Sequence, residues 1–382
     1  MLAPGEPLFH AGRSHSPLAL MAAPGSEALC SKIDYYLVKW FNEVNEEKVD
    51  TFMISLKCPR FSTGDGKGVI DESVRGRDVF IVIDVGNYSC TYSMFGEINR
   101  MSPDDHYANL KRMISAIGGK ASRVSVIMPT LYGGRQHKRN MRESLDGAMM
   151  LQELSAMGVK DIITFDAHDP RVQNAVPLMG FDNFMPTYQV LKALLRKFDD
   201  LKLDKNNFMV VSPDEGAMYR NKYYASILGV DLGMYYKRRD YTTVVNGRNP
   251  IVAHEYLGGP TMGMDIFVAD DIIASGESSL SLAKDLKSAG ANRIYLSTTY
   301  ALFTEGIEKF RDAYNEGLIT AVIGTNLTYT RPELKDEPWY VEADMSKYIA
   351  YIVAACNQNR SISAVIDPSA KIHKLVSEYK QK

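Results

Sequence analysis

Cysteine is scarce. Cys30, Cys58, Cys90 and Cys356 are the only four in 382 residues, and no two form a C-x-x-C pair. That argues against a disulfide scaffold or a zinc ribbon and reads as reduced thiols in a cytoplasmic protein. No apolar run approaches the ~18 residues that a membrane span needs, so no membrane partner is expected. An excess of charge is also lacking. The formal net charge is -2, which gives no bulk attraction to nucleic acid, and any basic site must be local. No G-x-x-x-x-G-K-[ST] occurs, and no G-x-G-x-x-G sits at a strand–helix junction, which argues against P-loop and dinucleotide-binding chemistry. His254-Glu255 lacks the second histidine of a zinc protease helix.

What is present is ordinary globular composition, 45% hydrophobic and 24% charged, enough for a large core in two or three domains. From Val79 onward short apolar runs recur: "VFIVIDV", "RVSVIMP", "DIITFDAHD", "NFMVVSPDEG", "DIFVADD", "RIYLSTTY" and "ITAVIGTN". Helical periodicity separates several of them, over Tyr107–Ile117, Ala148–Met157, Tyr188–Phe198 and Leu280–Ser288. Buried parallel strands joined by crossover helices read this way, so the class is α/β with two mainly parallel sheets. "YTTVVNGRNPIVAHEY" breaks the pattern, and its Asn246-Gly247 predicts a β-hairpin. The first residues, rich in Ala, Pro, Gly and Ser, read as a disordered leader over 1–31, with Met21 as an alternative start.

In open α/β sheets ligands bind beyond the carboxyl ends of the strands. Four strand ends carry unusual polar residues: Asp166 and His168, Asp214 and Glu215, Lys237 to Arg239, and Asp270 with Asp271. Alone, each is explained as well by a helix cap, a structural histidine or a solvated face. Four together point to a site. After Asp271 the small residues Ala274, Ser275 and Gly276 precede a helical pattern, and Ser275 and Ser278 supply hydroxyls. A helix N-terminus of that composition suits an anion, and it suits an ordinary Ser275 cap equally well.

From about Phe61 to the C-terminus the matching segments resemble, in order, the ribose-phosphate pyrophosphokinases (PRPP synthetases). "RQHKR" is similar to that family's ATP loop, "ITFDAHD" to its metal-binding strand end, "VVSPDEGAMYR" to its S-P-D segment, "KRRD" to its catalytic loop and "ADDIIASGES" to its ribose-phosphate loop. The resemblance implies two type I phosphoribosyltransferase-like domains, helices on both sheet faces, over 32–182 on the ATP side and 183–345 on the ribose-phosphate side. It implies that 346–382 packs back on the N-terminal domain. The activity implied is transfer of the β,γ-diphosphoryl group of ATP to ribose 5-phosphate, giving AMP and PRPP.

By the same resemblance Lys237 and Arg239 stabilise the transferring group. Phe61, Thr63, Asp65, Arg135 and Gln136 hold ATP. Asp270, Asp271, Ser275, Gly276 and Ser278 hold ribose phosphate. His168, Asp166 and Asp214 hold magnesium, and a homo-oligomer, hexamer or dimer, is implied. Several positions depart from the family pattern. Ala274 and Glu277 replace an acid and a glycine in the sugar-phosphate loop. Thr63 and Asp65 replace Asp and Glu beside Phe61. His137 stands for Asp, and Tyr236 for Asp before Lys237. Glu277 either points outward or repels a phosphate monoester. Two other readings stay open: a pyrophosphokinase for another ribose phosphate, and a non-catalytic regulatory subunit.

Overall fold

A computed structural model describes residue 9 and residues 16–139, 142–239 and 251–381, with the side chains at 237–239, 251–254 and 364–365 left outside the description. Two compact units result, one of Met1–Pro186, Asn326–Tyr329 and Asp344–Asp367, the other of Thr187–Thr325, Thr330–Ala343 and Pro368–Lys382.

The first unit runs β1 (Leu18–Ala22), α1 (Glu27–Val44), β2 (Leu56–Lys57), β3 (Val69–Ile70), β4 (Asp78–Val82), β5 (Thr91–Met94), β6 (Glu97–Arg100), α2 (Pro103–Ile117), β7 (Arg123–Ile127), α3 (Asp146–Ala156), β8 (Asp161–Phe165) and β9 (Gly180–Phe184). Its parallel sheet has the order β1-β4-β7-β8-β9. β4 is buried along its whole length, as its unbroken apolar run requires. α2 begins where the sequence says it should: Ser102 and Asp105 form a reciprocal capping box, Pro103 occupies the first turn, and Gly118 ends the helix in the left-handed region at φ 59°. β2–β3 and β5–β6 are small antiparallel hairpins outside the sheet.

The leader expected over 1–31 is overturned for 18–31, and 1–8 and 10–15 lie outside the described residues. Leu18 to Met21 are buried in edge strand β1, paired in parallel with β4, and α1 starts at Glu27. Met21 lies inside that strand. A five-residue strand flanked by Pro, Gly and Ser offers too few residues for a periodic signal, and only its parallel neighbour reveals it.

The second unit runs α4 (Thr187–Lys197), β10 (Phe208–Ser212), α5 (Met218–Leu228), β11 (Asp231–Arg239), β12 (Ile251–Leu257), β13 (Asp265–Ile273), α6 (Glu277–Ser288), β14 (Ile294–Ala301), α7 (Glu308–Asn315), β15 (Ala321–Thr325) and β16 (Tyr340–Ala343). The sheet order is β12-β11-β10-β13-β14-β15-β16, parallel except for β11–β12. Side chains of β13 alternate between two cores. Ile266 and Val268 join Leu282 of α6 and Phe310 of α7, while Phe267 and Ala269 join Leu191 of α4 and Tyr224 of α5. Helices on both faces, as expected, follow from that alternation. The expected hairpin is present as β11–β12. Its first strand is Asp231–Arg239, upstream of the Tyr241 start read from the sequence, and the Asn246-Gly247 turn lies outside the described residues.

The C-terminal segment divides between the units. α8 (Ser346–Asn357) belongs to the first, where Arg123 donates to the Cys356 carbonyl at 2.8 Å and Asn357 donates to Asp78 at 3.0 Å. After the short α9 (Ser363–Ile366), α10 (Ser369–Lys380) belongs to the second. There the Tyr379 hydroxyl donates to the Phe198 carbonyl and accepts from the Leu201 N–H, both at 2.8 Å. The expectation that all of 346–382 returns to the N-terminal domain therefore holds for α8 and fails for α10. The apolar face of α10, Ile372 and Val376, completes a core of the second unit instead.

Residues 326–329 join the first unit through Asp84 at the end of β4. Its carboxylate accepts from the Tyr329 N–H at 2.7 Å, the Gly86 N–H at 2.9 Å and the Thr328 hydroxyl at 3.1 Å. Burial outweighs these bonds and pushes the Asp84 pKa up, to about 6. An unfolded Asp titrates near about 3.9. Between those values the native state binds more protons than the unfolded one, so this group makes stability fall as pH rises through that window. Melting temperature should accordingly decline between about pH 4 and pH 6 more steeply in the natural protein than in Asp84→Asn. Parallel profiles would remove Asp84 as the cause.

Candidate functional site

In the first unit three loops carry the predicted residues. After β7, Gly133 takes φ 64° and packs against the backbone at Asp146, which turns the chain into Arg135 and Gln136. The Gln136 amide donates to the Ser144 carbonyl at 3.0 Å, while Arg135 is exposed. The next residue, His137, meets the end of β8: its ring lies 5.3 Å from that of His168, and its Nε2 is 3.4 Å from Asp169. The loop after β7 and the loop after β8 therefore meet through His137. Burial holds the His137 pKa below its ordinary value, against the pull of Asp169. The hydrogen bonds from the Arg171 guanidinium hold Asp169 down at about 2, so it is a carboxylate at neutral pH.

Asp166 is buried and sits at φ 44°, a left-handed conformation for a residue with a Cβ. Such a residue costs about 1–3 kcal/mol of strain and collects at functional turns. Bonds from the Asp166 N–H to the Phe184 carbonyl at 2.8 Å and from the Ala167 N–H to Asn183 Oδ1 at 3.0 Å hold the turn that aims His168.

Phe61, Thr63 and Asp65 lie together on the loop between β2 and β3. Phe61 is 55% exposed, and Thr63 donates to Asp65 at 2.8 Å. A short acid beside a hydroxyl here binds its neighbour, so the Thr63 and Asp65 departures are internally satisfied.

In the second unit the polar residues converge where β13 outruns β10. The strands pair at Phe208↔Asp265, Met209↔Ile266 and Val210↔Phe267; β10 ends at Ser212 while β13 continues to Ile273. Asp270 and Asp271 are thus inside β13, not after it, because β14 pairs alongside as far as Ala301. Asp271 is buried and Asp270 is partly open. Burial, then Asp271 and Asp214, push the Asp270 carboxyl well above the usual carboxylate range, while Arg220 pulls it down from 3.8 Å. A carboxyl held among carboxyls is suited to a cation or to hydroxyl donors.

Asn221 organises this corner, and no periodic signal marks it. Fully buried, its amide donates to the Ala269 carbonyl at 2.7 Å and the Ala217 carbonyl at 2.9 Å, and its Oδ1 accepts from the Ala269 N–H at 3.0 Å. It joins α5 to β13 one residue before Asp270.

The loop after β13 ends at Gly276, which takes φ 85°, and a Cβ there would strike the Phe310 ring. Gly276, not Ser275, is the residue that precedes α6; it has no side chain to cap the helix, and the Glu277 N–H reaches back to the Ser275 Oγ at 3.5 Å. The N–H groups of the first turn, with the Ser275 and Ser278 hydroxyls beside them, are of the kind that suits an anion. Glu277 settles outward: its side chain is 73% exposed and lies 3.7 Å from Lys309 on α7. Lys237 and Arg239 are the last residues but two and the last of β11, and their side chains lie outside the described residues.

Comparison with known proteins matches this architecture. Residues 18–158 match the N-terminal domain of ribose phosphate pyrophosphokinase, and residues 182–317 match the phosphoribosyl transferase domain. The ribose-phosphate pyrophosphokinase of Shewanella oneidensis is 29% identical over 312 residues, 80% of this chain and 89% of that protein. That of Vibrio parahaemolyticus is 28% identical over 334 residues, 85% of this chain and 96% of that protein. In fold, the crystal structure of phosphoribosylpyrophosphate synthetase from Mycobacterium smegmatis superposes with a TM-score of 0.71 at 21% identity, covering 90% of this chain and 99% of that one. With both domain matches in order and relatives aligned along nearly their whole length, the chain belongs to the ribose-phosphate pyrophosphokinase family.

Proposed function

We propose that this protein is a ribose-phosphate diphosphokinase, a transferase that moves the β,γ-diphosphoryl group of ATP to the anomeric hydroxyl of ribose 5-phosphate. One observation carries the substrate reading: the N-terminus of α6, preceded by Gly276, follows within three residues on a strand bearing Asp270 and Asp271. A phosphate monoester on those N–H groups leaves the sugar hydroxyls for the carboxylates. Arg135 and Gln136 hold the ATP phosphates, Phe61 offers a face to the base, and Lys237 and Arg239 neutralise charge on the transferred group and on departing AMP.

Carboxylate oxygens are the donors magnesium prefers. His168, Asp166 and Asp214 are candidate ligands. Among the described residues no three His, Cys, Asp or Glu side chains form a ready cage. Magnesium commonly takes one or two protein ligands and completes its shell with water and substrate phosphates. When bound, it would supply charge neutralisation on the polyphosphate.

The test is AMP release from ATP by purified protein with magnesium and ribose 5-phosphate, products identified by mass spectrometry. AMP and PRPP in equal amounts are expected. Folded protein that binds ATP and releases no AMP would overturn the reading and turn attention to another ribose phosphate, motivated by Ala274, and then to a regulatory subunit. Because Glu277 pairs with Lys309, Glu277→Gly should leave the KM for ribose 5-phosphate within about twofold, well under the ~1.4 kcal/mol of a tenfold change. A marked drop in KM would mean that Glu277 crowds the phosphate. The family also supports a homo-oligomer, measurable as mass in solution. No helix among the described residues is long and apolar enough to cross a membrane, and all four cysteines are free thiols, which favours a cytoplasmic setting.

A further inference from the structure

The β5–β6 hairpin has no place in the sheet and no role in the reaction as derived above, yet it is bound to one loop. Arg60 is the hinge of that arrangement. Its guanidinium is 9% exposed; Nη1 donates to the Gly64 carbonyl at 2.9 Å, closing the Phe61–Asp65 loop, and Nη2 donates to Asp105 at 3.2 Å in the first turn of α2. The face of the guanidinium lies 4.4 Å from the centre of the Tyr92 ring on β5. Two more contacts tie the hairpin to the loop. The Phe95 N–H donates to the Ser62 carbonyl at 3.0 Å, and Gly64, at φ 93°, lets Met94 Sδ approach so closely that a Cβ would strike it. Carbonyls of the loop are thus held from two sides, while the Phe61 ring stays exposed, with the Lys67 ammonium 5.8 Å from its centre.

A rigid backbone under an open aromatic ring is what a stacking platform needs. The entropy of ordering the loop is lost on folding, not on binding. We propose that Arg60 and the β5–β6 hairpin, through Tyr92, are a brace that pre-organises the Phe61 loop for the base of ATP, making Arg60 and Tyr92 positioning residues for the nucleotide. This rests on the reading of Phe61 as the nucleotide platform. It also gives the hairpin a function: Tyr92 supplies the π face that keeps Arg60 aimed at Gly64 and Asp105.

The test compares Tyr92→Ala, Tyr92→Leu and Tyr92→Phe with Phe61→Ala, reading kcat, the KM of each substrate and ATP affinity at equilibrium. Tyr92→Ala and Tyr92→Leu should raise the KM and Kd for ATP about three- to tenfold, the range of a partly desolvated cation–π contact. The kcat and the KM for ribose 5-phosphate should stay within about twofold, because a uniform binding term is lost. Tyr92→Phe, which keeps the ring, should restore ATP affinity. Tyr92→Leu keeps bulk without the π face, so it decides the matter if Tyr92→Ala does not fold. Unchanged ATP affinity in Tyr92→Leu alongside a weakened Phe61→Ala would overturn the brace and leave the platform standing. Unchanged affinity in Phe61→Ala would overturn the platform itself.

Discussion

Lys237→Ala should lower kcat on the order of 10³-fold while the melting temperature moves by no more than a degree or two, the range seen when a single transition-state donor is removed from phosphoryl or acyl transfer. Lys237 is near the end of β11, where its main chain pairs with His254 of β12, and alanine keeps that pairing. On the proposed mechanism, a cation in this position is needed most when the bond from the β-phosphorus to the α,β-bridging oxygen breaks and charge appears on AMP. The loss should therefore fall on kcat and kcat/KM together, with little change in ATP affinity. Steady-state rates with both substrates, and ATP binding measured apart from turnover, check this. Normal turnover in the variant would remove Lys237 from the mechanism. A loss confined to KM would recast it as a substrate-binding residue.

Asn221→Ala should destabilise the protein by about 3 kcal/mol, the cost of leaving a buried N–H and a buried carbonyl of Ala269 unpaired. The effect should also reach activity. Ala269 precedes Asp270, and Arg220 precedes Asn221, so the amide keeps in register the two elements that place this acid and this base 3.8 Å apart. We expect a lower melting temperature together with a raised KM for ribose 5-phosphate. A shift corresponding to less than about 1 kcal/mol would show that Ala269 finds other hydrogen-bond partners in the variant. A destabilised variant with an unchanged KM would separate folding from the geometry of Asp270.

The sequence by itself determined the class and the chemistry. Parallel strands buried on both faces must be unbroken apolar runs, so β4, β7, β8, β10, β13, β14 and β15 are legible, as are the periodic helices between them. Polar residues at the ends of these apolar runs stand out for the same reason, which is why His168, Asp214, Asp270 and Asp271 can be named without coordinates. Tertiary structure decided what depends on a partner distant in the chain. β1 is a strand because β4 lies beside it, and α10 leaves the first unit because its Ile372 and Val376 complete a core with Leu191 and Phe208. Asp270 is inside a strand because β14 extends alongside. Glu277 faces outward, within 3.7 Å of Lys309 on another helix. Asn221 and Tyr92 carry no local signal at all. Hydrogen bonds and ring contacts to residues 48 and 32 positions away give them their roles, and a one-dimensional pattern has no period for such contacts.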